Sequence, residues 1–147
     1  MRITGYKRED FTRLMEISDA CYTGIYRPPL ETTREMLTIS DTLIAREFES
    51  DCSLERVIGF AIVKVTARPY IWNIAVHPAY QGRGVGGNLL REIIKRYTLS
   101  KQKEIALHVN TENPAQKLYW DYGFRVVSVE EKYFNPHDGL LMVRRLP

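Results

Sequence analysis

An apolar strand, a glycine-rich turn and an amphipathic helix follow one another closely between Ile74 and Tyr97. The turn reads Gln81-Gly-Arg-Gly-Val-Gly86, and the apolar residues of the helix share one face: Val85, Leu89, Leu90, Ile93, Ile94 and Tyr97. A helix N-terminus has unpaired N–H groups and a partial positive charge, and glycines let a ligand approach the backbone closely. The segment therefore predicts a helix packed on a sheet, with a phosphate-binding turn between them.

Strand and helix patterns alternate along the whole chain. The ranges that favour strands are 2–6, 42–49, 56–66, 70–76, 104–109, 124–134 and 140–145. Helical patterns cover 8–22, a short segment that ends near Ile39, 84–98 and 113–123. Thr32 and Asn113 are the expected N-caps of the second and fourth helices. Because no repeat or linker interrupts this order, residues 1–147 are expected to form one α+β domain around a central sheet.

Composition and charge exclude several classes of function. The net charge of +3 is small enough for an anionic cofactor to explain, so nucleic acid is not an expected partner. No apolar run approaches the roughly 20 residues that cross a membrane. Cys21 and Cys52 do not make a disulfide framework, which predicts the cytoplasm. The three histidines are far apart in sequence, so no metal site is expected.

Two motifs together resemble the GNAT acetyltransferases. Their signature is Gln/Arg-x-x-Gly-x-Gly/Ala, which Gln81, Gly84 and Gly86 match. Further matches at the expected separation are Ile74-Ala-Val-His-Pro78, Asn113, Leu118-Tyr119 and Gly123-Phe124. The resemblance implies a central, mostly antiparallel seven-stranded sheet with about four helices. It also implies acetyl-coenzyme A as co-substrate, with its pyrophosphate on the amides of the turn.

The same resemblance suggests three catalytic residues: His108, Tyr70 and Tyr119. In the N-terminal protein acetyltransferase branch, a histidine in a segment similar to Leu107-His-Val109 is the base, and a tyrosine placed like Tyr70 works with it. In the bacterial ribosomal-protein branch a glutamate is usual where His108 stands. Tyr119 resembles the general acid that protonates the departing sulfur. Without the resemblance, His108 is an ordinary strand histidine and both tyrosines are packing residues.

The expected binding residues form two groups. By resemblance, the cofactor contacts Ile74, Ala75, Val76, Gln81, Gly82, Arg83, Gly84, Val85, Gly86, Gly87, Asn113 and Tyr119. A strand amide of Val76 or Ile74 is expected to polarise the thioester oxygen. Trp72 and Asn73 alternate along their strand, so one of the two is expected to face the acceptor. The residues predicted to contact the acceptor are Tyr22, Ile25, Tyr26, Asn73, Tyr133 and Phe134.

The sequence therefore predicts an N-acetyltransferase that uses acetyl-CoA by direct attack in a ternary complex. The favoured acceptor is a protein or peptide N-terminal α-amine, which titrates near 7.7–8.0 and needs only modest help to lose its proton at neutral pH. Two alternatives stay open. One is acetylation of a small amine such as a polyamine, an amino sugar or an antibiotic, and the other is a non-catalytic acyl-CoA-binding regulatory module. Homodimerisation through an exposed strand is left open as well.

Overall fold

The computed structural model describes residues 1–22, 28–49 and 54–147. The strands are β1 (Arg2–Gly5), β2 (Asp41–Phe48), β3 (Glu55–Lys64), β4 (Tyr70–Val76), β5 (Glu104–Asn110), β6 (Arg125–Phe134) and β7 (His137–Arg145). The α-helices in this part of the chain are α1 (Phe11–Cys21), α2 (Leu30–Ile39), α3 (Val85–Leu99) and α4 (Gln116–Asp121). None of these helices is both long and apolar enough to cross a membrane.

The seven strands form one sheet in the order β1-β2-β3-β4-β5-β7-β6. Neighbouring strands pair antiparallel except β4 and β5, which run parallel. The parallel pair is short, because its register contains only Tyr70 opposite Ala106 and Ile71 opposite Leu107. Beyond that point β4 and β5 separate. The predicted α+β fold, with a mostly antiparallel seven-stranded sheet and about four helices, is confirmed.

A hydrophobic core lies on each face of the sheet. On one face the apolar stripe of α3 packs on the strands together with Tyr119 and Leu118 of α4, and Leu89, Leu90 and Ile93 are fully buried. On the other face α1 and α2 bury Leu14, Ile17, Met36 and Leu37 against the sheet. The period of 3.6 in the sequence of α3 therefore corresponds to a buried stripe, as predicted.

Two helix starts differ from the sequence prediction. The capping box expected at Thr32 is wrong, because α2 begins at Leu30 with Pro29 at its N-cap. Proline has a fixed φ that suits the start of a helix, so the helix begins directly after it. Asn113 accepts a hydrogen bond from the N–H of Ala115 at 2.9 Å, but it caps a turn, and α4 begins only at Gln116.

Candidate active site

The separation of β4 from β5 opens a cleft in the middle of the sheet. One pocket of about 500 Å³ lies between the diverging strands and the β6–β7 hairpin, and we call it the hairpin pocket. A second pocket of about 490 Å³ lies against the glycine turn, the start of α3 and α4, and we call it the helix pocket. Five residues line both pockets: Cys21, Tyr22, Ile74, Asn113 and Tyr119. The two pockets therefore meet at these side chains.

The helix pocket is built from the backbone of the glycine turn. Gly82 and Gly84 have φ angles of 76° and 83°, a left-handed conformation that glycine adopts without strain, and Gly84 is the N-cap of α3. The first N–H groups of α3 have no partner inside the helix, and the helix dipole makes this end positive. The pocket can therefore hold a phosphate group.

Most of the predicted cofactor residues line the helix pocket. They are Ile74, Ala75, Val76, Gln81, Gly82, Gly84, Val85, Gly86, Gly87, Asn113 and Tyr119. Arg83 is the exception: it is not among the lining residues, and its guanidinium lies 5.3 Å from the ring centre of Tyr80.

One edge of β4 points into the cleft. The carbonyl of Ile74 accepts a hydrogen bond from the Tyr22 hydroxyl at 3.1 Å, and the carbonyl of Val76 accepts one from Gln81 Nε2 at 2.9 Å. The thiol of Cys21 also lies 3.1 Å from the Val76 carbonyl. Because the N–H and C=O of a strand residue point to the same side, the amides of Ile74 and Val76 face the cleft rather than β3. Of the two amides proposed to polarise a carbonyl oxygen, that of Ile74 lies where the pockets meet and that of Val76 lies in the helix pocket.

Tyr119 is buried between the two pockets. Its side chain is 7% exposed, and burial raises its pKa to about 12. The phenol is therefore neutral at physiological pH. Because its side chain lines both pockets, its hydroxyl can donate to a molecule bound there.

Tyr70 and His108 form a hydrogen-bonded pair in the hairpin pocket. The Tyr70 hydroxyl lies 2.6 Å from Nδ1 of His108. Tyr70 belongs to the short paired part of β4 and β5, and His108 follows Leu107, the last residue of β5 that pairs with β4. Burial raises the pKa of Tyr70, and its contact with the Tyr133 hydroxyl at 3.5 Å acts in the same direction. Tyr70 therefore keeps its proton at neutral pH, and the donor in its hydrogen bond with Nδ1 depends on the tautomer of His108.

The strand β6 adds two residues to this pair. The ring of Tyr133 stacks on the imidazole of His108 with centres 4.1 Å apart and planes 8° apart. The carboxylate of Glu130 lies 3.0 Å from Nε2 of His108. This contact is off the direction of the ring N–H, so it is an ion-pair distance and not an aligned hydrogen bond. Sequence reasoning missed Glu130, because it lies in an edge strand with mainly exposed side chains and carries no motif.

The predicted acceptor residues are brought together where the structure describes them. Tyr22, Asn73, Tyr133 and Phe134 line the hairpin pocket, whereas Ile25 and Tyr26 lie outside the described residues. The Tyr22 hydroxyl is 2.7 Å from Oδ1 of Asn73.

Trp72 also lines the hairpin pocket beside Asn73, and the strict alternation expected of these two residues is wrong. The reason is a register shift between β3 and β4. Asn73 pairs with Ile62 and Ile71 pairs with the next residue, Val63, so Trp72 is an extra residue in the strand.

No group of three metal-ligating side chains is found in the part of the chain that the structure describes. Comparison with known families then gives one match: the model of the acetyltransferase (GNAT) domain covers residues 40–126. The chain belongs to the GNAT family. The matched segment contains β4, the glycine turn, α3, β5 and α4, which together build the cleft.

Individual GNAT proteins resemble the chain to different extents. The N-alpha-acetyltransferase RimI of Mycobacterium tuberculosis is 29% identical over 134 residues, which are 86% of this chain and 80% of that protein. The ribosomal protein bS18-alanine N-acetyltransferase of Haemophilus influenzae is 34% identical over 85 residues, 57% of this chain and 58% of that protein. A chain of the NatC complex bound to Gag peptide and CoA superposes with a TM-score of 0.84 at 23% identity, covering all of both chains.

Proposed function

We propose that the protein is an N-acetyltransferase that uses acetyl-CoA and acts on the α-amine of a protein or peptide N-terminus. One observation carries the proposal. The helix pocket, suited to a phosphate-bearing cofactor, opens at Tyr119 into a hairpin pocket that contains a proton-accepting pair, Tyr70 and His108. A transfer reaction between two bound molecules needs this arrangement, because both must reach one point.

The residues present fit acetyl-CoA. The unpaired amides at the start of α3 would hold the pyrophosphate, and Asn113 and Val76 lie along the path from there to the hairpin pocket. When bound, acetyl-CoA supplies a thioester whose carbonyl carbon is attacked by the amine, so that a C–N bond forms, the C–S bond breaks and coenzyme A leaves as a thiolate. The amides of Ile74 and Val76 offer hydrogen bonds to the carbonyl oxygen.

The proton of the amine leaves through Tyr70 and His108. Tyr70 cannot act alone as a base, because its raised pKa keeps the phenol protonated. Its oxygen accepts the amine proton as its own proton passes to Nδ1 of His108, 2.6 Å away. An α-amine titrates near 7.7–8.0, so about a tenth of it is the free base at neutral pH, and the pair takes up the proton that the amine loses as the C–N bond forms.

Tyr119 acts on the leaving group. A thiol has an ordinary pKa near 8.5, whereas burial raises the pKa of Tyr119 to about 12. The thiol is the stronger acid, so complete proton transfer from Tyr119 to the thiolate is unfavourable. Tyr119 therefore stabilises the departing sulfur by donating a hydrogen bond, and solvent supplies the proton.

The choice of an N-terminal amine is supported by the relatives and by the hairpin pocket. One relative is named as a ribosomal protein bS18-alanine N-acetyltransferase and another as an N-alpha-acetyltransferase, and an acceptor of that kind would place the enzyme in the cytoplasm. The pocket is open to solvent and bordered by Trp72, Tyr133 and Phe134, which suits the end of an extended peptide. Glu112 also lines it, so we expect an acidic first residue to be disfavoured.

The test is release of free coenzyme A from acetyl-CoA with two panels of acceptors. One panel contains peptides that vary in the first two residues, with N-terminally blocked controls that keep an internal lysine, and the other contains small amines. Release with free-terminus peptides alone supports the proposal, and mass spectrometry locates the acetyl group. Release with small amines alone overturns the acceptor. Bound acetyl-CoA without release from either panel overturns catalysis and favours a regulatory module.

A further inference from the structure

We propose that Glu130 is a positioning residue, which holds the proton of His108 on Nε2 and so leaves Nδ1 as the acceptor that faces Tyr70. The inference rests on the proposed function, because it concerns the proton-accepting pair of that site. It begins from a contact between side chains 22 positions apart on non-neighbouring strands, with Glu130 Oε1 3.0 Å from His108 Nε2.

The sheet explains how β6 reaches β5 across β7. Gly139 of β7 lies opposite Asn110 of β5 and opposite Glu130 of β6, and His108 lies opposite Leu141, two residues further along β7. Residues opposite each other, or two apart on one strand, share a face of the sheet. His108 and Glu130 therefore share the face on which Gly139 has no side chain.

A side chain at position 139 would close this space. A Cβ built on Gly139 would lie 2.8 Å from Cβ of Tyr133, closer than such atoms approach in proteins. The register of β6 also shifts between Glu130 and Phe134, with Lys132 at a φ of 53°. Gly139 leaves room for Tyr133 over β7. The register shift in β6 accompanies the stacking of the Tyr133 ring on the imidazole of His108.

The surroundings of the imidazole select one tautomer. Neutral histidine has one N–H and one bare nitrogen, and the partner of each nitrogen decides which carries the proton. Tyr70 keeps its proton and can donate it to Nδ1 when that nitrogen is bare, whereas the carboxylate beside Nε2 can only accept. Nε2 is buried without an aligned hydrogen bond to any described residue, and the carboxylate of Glu130 at 3.0 Å is the charge that favours a proton there.

The same carboxylate assists once His108 takes up a proton. The ring is then an imidazolium, and the negative charge of Glu130 at 3.0 Å stabilises it. An acidic residue that fixes the tautomer of a catalytic histidine and stabilises its charged form plays the same part in serine hydrolases. Here Glu130, on the edge strand β6, would serve a Tyr–His pair on the central strands β4 and β5.

The experiment uses ring-¹⁵N-labelled histidine in the full chain and measures the tautomer of His108 by NMR. The chain has three histidines, and the spectrum of His108→Ala assigns the signal. In the wild type we expect Nε2 to carry the proton and Nδ1 to be bare. Glu130→Ala should shift His108 towards a mixture of its two neutral tautomers. Glu130→Gln, which keeps an acceptor oxygen, should restore part of the preference for a proton on Nε2. Glu131→Ala, the adjacent exposed acid, is the matched control and should leave the tautomer unchanged.

Turnover gives the second readout. Glu130→Ala should lower kcat about tenfold, a part of the roughly 100-fold or more that a general base supplies, with KM for acetyl-CoA unchanged. In a His108→Ala background, Glu130→Ala should lower kcat less than twofold. A wild-type His108 with its proton on Nδ1, or a tautomer that Glu130→Ala does not move, overturns the inference. Because the tautomer is measured without substrate, a protein inactive on every peptide would overturn the proposed function separately.

Discussion

The Tyr70 hydroxyl lies 2.6 Å from Nδ1 of His108, at the level where β4 and β5 stop pairing. Tyr70 lies opposite Ala106 in the parallel pair, and Ile71 opposite Leu107 is the last match. The two side chains therefore lie at the floor of the cleft, where they are hydrogen-bonded to each other and line the hairpin pocket. In the proposed reaction this position lets a single hydroxyl connect the acceptor to the imidazole.

Removal of that hydroxyl tests the pair directly. We expect Tyr70→Phe to lower kcat about 100-fold, because the amine loses its route to His108, a general-base contribution of ordinary size. KM for acetyl-CoA should not change, since Tyr70 lines only the hairpin pocket. Coenzyme A release with the best peptide measures both constants. Tyr6→Phe, a tyrosine packed under α1 on the opposite face from α3, serves as control and should retain full activity. Equal rates for Tyr70→Phe and wild type would remove the hydroxyl from the reaction.

The sequence predicts most of the fold because its signals are local. The strand, glycine turn and helix between Ile74 and Tyr97 each follow from periodicity and turn chemistry within a few residues. The association of Tyr70 with His108, 38 positions apart, was expected only by resemblance, since no local pattern records which strands become neighbours. Glu130 gave no signal at all. Its contact with His108 depends on how β6 pairs with β7.

The errors in the sequence prediction have the same origin. Strict alternation along β4 separates Trp72 from Asn73, but an extra residue in the strand brings both to the hairpin pocket. Sequence periodicity cannot place such a bulge, because the bulge is defined by the partner strand. At Thr32 a capping pattern was present, but Pro29 started the helix earlier.

Tyr119 should assist turnover without being required for it. The change Tyr119→Phe removes the hydroxyl that we propose faces the leaving group, and we expect kcat to fall about tenfold, the worth of one hydrogen bond of roughly 1.4 kcal/mol. Peptide KM should be nearly unaffected. Stopped-flow measurement of coenzyme A release separates this step from product dissociation. A rate unchanged within twofold would leave Tyr119 as a core residue only, and complete loss of activity would indicate an obligatory proton donor.

Gly139 should be sensitive to the smallest substitution. A methyl group at this position collides with Tyr133, so Gly139→Ala should displace the tyrosine ring from His108 and lower kcat several-fold. The ring-proton shift of His108, which a stacked aromatic ring perturbs, reports the displacement. Gly5→Ala is the matched control, because Gly5 also lies in a strand and a Cβ there meets nothing within 4 Å. If Gly139→Ala keeps both the shift and the rate, the space over β7 is not needed.

A buried ion pair between Asp10 and Arg46 should hold the start of α1 to β2. Both oxygens of Asp10 accept from Arg46 at 2.7–2.8 Å. Burial alone would raise the pKa of Asp10, but these bonds and the N–H of Lys7 outweigh it and hold the pKa below its usual value. The pair therefore stabilises the fold above the unfolded-state pKa of about 3.9, and the stabilisation is lost as pH falls through the lower folded-state value.

Asp10→Asn should lower the free energy of unfolding by about 3 kcal/mol at pH 7, because it leaves a buried guanidinium unpaired. Urea unfolding measures the loss, which should shrink towards pH 2, with exposed Glu9→Gln as control. A loss that stays constant down to pH 2 would contradict the ion pair as its source.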